Sequence, residues 1–551
     1  MTGPLLTLLD APKLAAYTAA GWWGSETLYT LALRRSREMP DAFAIRDRHR
    51  RLSYAALVAA ADRLAFWLAG HGVRPGERIA VWLPSRVETA VALLACSRNS
   101  YVCCPSLHRD HTVDQVVALI DRMRAAAIIA QPGYGADAER CDLFAALADR
   151  DFLRCALPVG SEGEAAFADL PEPAADRPAG DDPNKIAYLA FTSGTTGAPK
   201  GVLHSDNTLL ASARMMVRDW RLDRSVLYTL SPLSHNLGLG AFITTLAGGG
   251  ELVVHDLPRG ASLLDRLTET KAAFVFGVPT HAHDLLAEIR GRGVGRIAGL
   301  RGFRISGAAA SPSLIAELLR HGITPQSGYG MTETCSHQYT LPDDPPERIA
   351  QTSGRACDGY EIRIWREDDP DRAAAPGEIG EIGGRGASLM LGYFDDQRAT
   401  EAAFNAEGWF TTGDLGRLDE AGYLRITGRK KDVINRGGRK IYPARIEELA
   451  LRHAGLEKAA AFPVADPRLG ERVCLAVVMR DAAPLDPEEL LRHLDTAGLP
   501  RSEMPEFVLR LDRMPLTASG KIVKRELITG VAEGRMAPVP VRLPSTPPGK
   551  D

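Results

Sequence analysis

FTSGTTGAPKG, residues 191–201, follows the apolar run IAYLA (186–190) and precedes Val202 and Leu203. A strand that opens into a glycine- and hydroxyl-rich loop carrying a lysine is suited to phosphate. Gly194, Gly197 and Gly201 let the backbone approach an anion, Thr192, Ser193, Thr195 and Thr196 bring hydroxyl donors, and Lys200 brings charge. It is not a Walker A loop, which needs GxxxxGK followed by Ser or Thr: here Lys200 follows Pro199 and precedes Gly201, so a P-loop on a helix N-terminus is not implied. A surface loop of turn formers would account for the glycines and threonines but not for the whole string.

Outward from this stretch, short apolar runs alternate with helical patterns: RIAVWLP (78–84), AAAIIAQ (125–131), VLYTLSP (226–232), ELVVH (251–255), AFVFGVP (273–279) and FRISGA (303–308), with helix-spaced segments such as SLIAELLRHG between them. This alternation predicts βαβ units and parallel sheets with helices on both faces, in two related layers. After about 375 the texture becomes GEIGEIGGRG and GWFTTGDLGRLDEAGYLRITGR, antiparallel strands on tight turns. Residues 432–530 mix two helices with three strands. The fold expected is therefore α/β. A large N-terminal domain of doubly wound sheets (1–429), with a small antiparallel barrel-like subdomain (376–429), is hinged to a small α+β domain (430–535). A proline-rich tail (536–551), MAPVPVRLPSTPPGKD, is expected to be disordered.

Of the 551 residues, 25% are charged and 45% hydrophobic, and the formal net charge of -3 gives no global pull toward nucleic acid or anionic membrane. The eight cysteines include no CxxC pair and no zinc-ligand spacing, which fits a reducing cytoplasm. The N-terminal residues lack the basic and small-residue features of a signal peptide, and no apolar run approaches 18 residues, so a cytoplasmic protein without a membrane span is expected.

With the other strings added, FTSGTTGAPKG resembles the phosphate-binding loop of the adenylate-forming (AMP-dependent synthetase/ligase) superfamily, which includes acyl-CoA synthetases, aryl-acid adenylating enzymes, peptide-synthetase adenylation domains and luciferases. The strings SPLSHNLGLG (231–240), SGYGMTE (327–333), GEIGEIGGRGASLMLGYF (377–394), GWFTTGDLG (408–416), GRKKDVINRGGRKIYPARIE (428–447) and PLTASGKIVKREL (515–527) follow in the superfamily's order. The N-terminal third matches in texture, except that YTAAGWWGSETL (17–28) is similar to the entry segment of the aryl and alicyclic acid–CoA ligases, such as cyclohexanecarboxylate–CoA ligase.

The resemblance implies ATP, Mg2+ and coenzyme A as cofactors, and it assigns roles. Thr192, Ser193, Gly194, Thr195, Thr196, Gly197, Lys200, Ala308, Ala309, Gly328, Tyr329, Gly330, Met331, Asp414 and Arg429 would bind ATP or AMP. Of these, Tyr329 would stack on adenine, and Asp414 with Arg429 would hold the ribose. Thr332 and Glu333 would act at the phosphates, with Thr196 and Glu333 on the metal. Lys521 would bridge the substrate carboxylate, the α-phosphate and the ribose. A carboxylic acid is already ionised near neutral pH. The barrier is therefore the repulsion between two anions, which positioned cations relieve.

For the second half-reaction the resemblance makes Lys431 the hinge and Gly437-Gly438 the lining of a pantetheine tunnel, while Arg436, Arg439 and Lys440 offer charge for coenzyme A phosphates. The bland alternative for that segment is a solvated basic face. The acyl pocket would be lined by His235, Asn236, Gly277, Gly307 and Cys335; for His235 alone, a core histidine satisfied by backbone is an equal alternative. The His-Asn pair is similar to the hydroxybenzoate-adenylating branch, whereas the surrounding alanines and glycines suit an alicyclic or medium-length acid. The expected activity is an ATP-dependent acyl-CoA synthetase, with loading of a carrier-protein phosphopantetheine as the alternative. The expected assembly is a monomer or homodimer. The setting of Lys521 also resembles that in which lysine acetylation silences such enzymes, implying an acetyltransferase and a deacetylase as partners.

Overall fold

The computed structural model describes residues 11–160, 167–173, 178–192, 199–258, 260–307, 310–480, 486–516 and 522–543. By its internal contacts the chain divides into two units, residues 1–362 with 384–410 and residues 363–383 with 411–551.

The first unit holds two sheets. In the nine-stranded one, Thr324–Met331, Gly302–Ile305, Phe274–Gly277, Val226–Thr229, Glu251–Val254 and Phe43–Arg46 run parallel in that order. Antiparallel strands flank them: Cys335–Tyr339 and Arg355–Ala356 on one side, Arg51–Ser53 on the other. In the seven-stranded sheet, Ile186–Phe191, Val102–Cys104, Arg78–Trp82, Ala127–Ala130 and Cys155–Pro158 are parallel.

Alternation along each strand feeds two different cores, because successive side chains point to opposite faces. Ile79, Val81, Cys103 and Tyr188 join Leu227, Leu252 and Phe274 of the other sheet in one shared core. Ala80, Trp82 and Leu189 face a second core, and Val253, Val275 and Phe303 a third. Both faces of both sheets are thus covered, as parallel strands require. The helix Val87–Arg98 is buried along its whole length. Its Glu88, 1% exposed, accepts from Arg86 Nε at 2.7 Å and Arg50 Nη2 at 2.8 Å, so this buried carboxylate is paired on both sides.

The quoted stretch departs from the parallel expectation. Ile186–Phe191 pairs antiparallel with Gly201–Ser205, which in turn pairs antiparallel with Gly392–Tyr393. The strands that flank residues 193–198 are therefore antiparallel neighbours rather than the parallel strands of a βαβ unit.

The second unit holds the greater part of a sheet of order Tyr360–Trp365, Gly380–Gly386, Phe410–Leu418, Leu424–Arg429, and a six-stranded sheet built around Gly470–Met479. Helices Pro443–Ala450 and Pro487–Thr496 bury Ile446, Leu449, Leu490 and Leu494 against one face of the latter. The sequence reading groups 376–429 with the N-terminal core and draws the boundary at 430. By internal contacts residues 363–383 and 411–429 fall instead with the C-terminal residues, to which Arg425 pairs through Glu448 at 3.1 Å and Glu367 through Lys440 at 2.5 Å. A second correction concerns the tail. Val539–Pro540 forms a strand antiparallel to Phe507 and Val508, which its composition conceals because proline is tolerated in an outermost strand. Residues 544–551 lie outside the described part.

Candidate active site

The hairpin neck is closed tightly. Thr192 N–H donates to the Lys200 carbonyl at 2.9 Å, and the Arg122 guanidinium donates to the Pro199 carbonyl. Gly201 has no room for a side chain: a Cβ there would lie 2.9 Å from Leu189 Cδ1 and 3.0 Å from Phe394 Cβ. Ser193, Gly194, Thr195, Thr196 and Gly197 lie outside the described residues, as do Ala308, Ala309 and Lys521. Thr192 and Lys200, at the two ends of the neck, are described.

SGYGMTE forms the end of strand Thr324–Met331 and the turn into Cys335–Tyr339. Gly330 is obligatory there, since a Cβ would lie 2.1 Å from the Cys335 carbonyl oxygen. Tyr329, 7% exposed, meets the ring of His337 edge-on at 5.6 Å. The turn is then fastened residue by residue. His204 Nε2 donates to the Thr332 carbonyl at 2.7 Å, Met390 N–H to the Glu333 carbonyl at 2.7 Å, and Ser388 Oγ to the Thr334 carbonyl at 3.0 Å. Burial pushes His204 down to about 4, so its imidazole is neutral and carries its one proton on Nε2.

Tyr393 ties this turn to the hairpin. Its hydroxyl donates to Glu333 Oε1 at 3.0 Å, while Lys200 Nζ sits 4.5 Å from its ring centroid. Burial, and then the Glu333 charge, holds the phenol far above its ordinary range, so it remains a donor at any working pH. One aromatic side chain thus fixes a carboxylate with its tip and a lysine with its face. A single oriented carboxylate beside a lysine-bearing loop fits Mg2+, which is commonly held by one or two carboxylates together with substrate phosphate oxygens. Among the described residues there is no cluster of three or more His, Cys, Asp or Glu that would form an all-protein metal cage.

The residues assigned to the acyl pocket fall at the C-terminal ends of the parallel strands and beside the SGYGMTE turn. His235 is the N-cap residue of helix Asn236–Gly248, and Asn236 Nδ2 approaches the Met331 carbonyl at 3.5 Å. Gly277 ends its strand against Phe303, whose ring would lie 2.9 Å from any Cβ, and its carbonyl accepts from Ser306 N–H at 3.2 Å. Gly307 follows with φ 86°, the left-handed conformation that favours glycine. Cys335 is buried, its Sγ 4.0 Å from both ring nitrogens of His204, and burial pushes its thiol to about 12, so it is not a nucleophile.

In the second unit Asp414 and Arg429 are cross-strand partners, with Nε to Oδ1 at 3.2 Å, and Asp414 is 7% exposed. Lys430 pairs with Glu381 at 2.8 Å. Lys431 lies in the 3-10 turn Lys430–Asp432, its pKa lowered by burial and then by Arg429. Gly437 and Gly438 (φ 57° and 85°) make the turn between Ile434–Arg436 and Arg439–Ile441. Of the three cations read as a phosphate attractor, Arg436 makes two 2.9 Å bonds to Glu506 and Lys440 pairs with Glu367, while Arg439 is exposed.

The profile of the AMP-binding enzyme family matches residues 33–394, and that of the AMP-binding enzyme C-terminal domain matches residues 445–521. The chain belongs to the AMP-binding enzyme family. Over 528 residues it is 32% identical to a medium-chain fatty-acid–CoA ligase of Escherichia coli (strain K12), covering 93% of this chain and 92% of that one. It is also 32% identical to a salicyl-AMP ligase / salicyl-S-ArCP synthetase of Mycobacterium tuberculosis, covering 95% and 94%. Among solved structures, ATP-bound MatB from Rhodopseudomonas palustris superposes with a TM-score of 0.81 at 28% identity, covering 92% of this chain and 99% of that one. ATP, Mg2+ and coenzyme A are the small molecules with which the acid–CoA ligases of this family work.

Within this family member, sequence reading passed over three groups that touch the assigned residues: His204 behind Thr332, Tyr393 between Glu333 and Lys200, and His108 on His235. Tyr393 lay inside a quoted motif without a role. His204 carried a faint signal as a histidine directly before the capping Ser205, whereas His108 carried none.

Proposed function

We propose that the protein is an ATP-dependent, AMP-forming acid–thiol ligase that activates an alicyclic, aryl or medium-chain carboxylic acid as its acyl-adenylate, with release of pyrophosphate, and passes the acyl group to coenzyme A. The observation that carries this reading is the Lys200–Tyr393–Glu333 bridge, which sets a cation and a metal-competent carboxylate on one aromatic ring beside the glycine-rich hairpin. Coverage of more than nine-tenths of a fatty-acid–CoA ligase supports the choice of reaction.

The roles follow from charge. Lys200 and the hairpin loop with Thr196 would receive the departing phosphates. Tyr329 would take the adenine, Asp414 and Arg429 the ribose, and Glu333 the Mg2+, whose chemistry is to neutralise phosphate oxygens. Lys521 would draw the acid's carboxylate against the α-phosphate, and Lys431 would be the hinge that replaces it by Gly437-Gly438 for thiol transfer.

The deciding experiment gives the purified protein ATP, Mg2+ and a panel of benzoates, cyclohexanecarboxylates and C4–C10 fatty acids, and follows pyrophosphate release and acyl-CoA formation. Lys521→Ala, or Lys521→Gln as a stand-in for acetylation, is expected to slow pyrophosphate release by about 10²–10³. Lys431→Pro is expected to spare that step and impair the thioester step. Pyrophosphate release unchanged by Lys521→Ala sinks the assignment. A second reading, transfer to a carrier-protein phosphopantetheine, is favoured by the similarity to salicyl-S-ArCP synthetase. Acyl-adenylate formation without acyl-CoA would select it.

A further inference from the structure

Beside the proposed acyl site lies a histidine cluster to which the reaction above gives no work. His108 stacks face to face on His235, ring centroids 4.0 Å apart and planes 16° from parallel. It is held on every side. Its ring Nδ1 is 3.1 Å from Ser234 Oγ, its backbone N–H donates to His111 Nδ1 at 3.2 Å, and its backbone carbonyl accepts from the buried Trp82 indole at 3.0 Å. The backbone bonds fix where the side chain starts, and the ring cannot turn without losing the Ser234 hydroxyl and the His235 stack, so the plane of the His235 ring is set with it.

We propose that His108 is a positioning residue for acid recognition: by stacking on His235 it fixes a flat imidazole wall that admits acids with an apolar ring or chain and rejects those bearing a second carboxylate. The inference rests on the ligase reading. Burial, with His235 and His111, pushes His108 down to about 2, so the His108 ring stays neutral near pH 7. His235, Asn236, Gly277, Gly307 and Cys335 include no lysine or arginine. A second carboxylate brought against them would lose its hydration and gain no lysine or arginine partner, a penalty that a neutral ring or alkyl tail does not meet.

The test compares monoacids with their diacid partners at pH 7.5 by pyrophosphate release: cyclohexanecarboxylate with cyclohexane-1,4-dicarboxylate, benzoate with terephthalate, octanoate with octanedioate. Each diacid is expected to fall at least about a hundredfold in kcat/KM. His108→Ala should raise KM for the best monoacid about three- to tenfold with KM for ATP unmoved, and His108→Phe, which keeps a stacking ring, should restore it. Diacids used as well as monoacids, KM for ATP rising in step, or His108→Phe as impaired as His108→Ala would each overturn the proposal. Pyrophosphate release with none of the acids overturns the ligase reading instead. The wall is then decided by thermal shift with the same monoacids: stabilisation of wild type and His108→Phe but not His108→Ala supports it, and equal shifts in all three overturn it.

Discussion

Replacing Tyr393 by phenylalanine removes one atom from the bridge between Glu333 and Lys200. The lost contact is a 3.0 Å hydroxyl-to-carboxylate hydrogen bond, and the ring beneath Lys200 Nζ, at 4.5 Å, is retained. A hydrogen bond to a charged group contributes about 1.5–3 kcal/mol. Glu333 is only half-buried, so water recovers part of the loss and the lower figure applies, about tenfold in an equilibrium or rate. If Glu333 holds the metal, that tenfold should fall on the Mg2+ concentration giving half-maximal pyrophosphate release, with KM for the acid unchanged. Calorimetric titration with ATP and Mg2+ should show the same loss without turnover. Tyr393→Leu also removes the ring face, and a further two- to fivefold loss of ATP affinity is expected from the cation–π contact. Wild-type Mg2+ dependence in Tyr393→Phe would refute the bridge as a positioning device.

Gly330→Ala would place a Cβ 2.1 Å from the Cys335 carbonyl oxygen, so the SGYGMTE hairpin must open; loss of ATP binding by calorimetry with the far-ultraviolet spectrum preserved is the expected result. Acid should destabilise the first unit. Burial holds His337 at about 3 and His108 at about 2, against 6.5 for an unperturbed histidine. The unfolded chain takes up protons below pH 6.5 that the folded chain refuses, so stability is complete above that value and falls as pH drops toward 3, by up to about 1.4 kcal/mol per unit for each group. The difference between thermal midpoints at pH 7 and 5 should therefore narrow in His337→Phe, which keeps a ring in the tilted 4.0 Å contact with Tyr360; an unchanged difference would refute the assignment.

Much of the architecture was legible because parallel strands buried on both faces must be written as short continuous apolar runs. IAYLAF, ELVV and FVFG each became a strand. The direction of the strand after the glycine loop was not legible, since nothing in GVLHS distinguishes a hairpin return from a crossover. The site shows the same division. Motifs announce residues whose chemistry is local, such as Glu333 and Lys200, but their partners are set by pairing at a distance. Tyr393 reaches Glu333, 60 residues away, only because Gly392 and Tyr393 lie against Leu203 and Val202. His108 meets Ser234 across 126 residues, joined by no spacing rule.

The strand Val539–Pro540 has a consequence for handling the protein. It occupies the side of Phe507 and Val508 that would otherwise present open N–H and C=O groups, and Pro540 offers no N–H of its own to a newcomer. A chain cut before 539 should therefore keep its small domain folded yet acquire a sticky margin, recognised by light scattering that rises with concentration while the circular dichroism stays native. Val539 and Pro540 would then act as a seal against self-assembly.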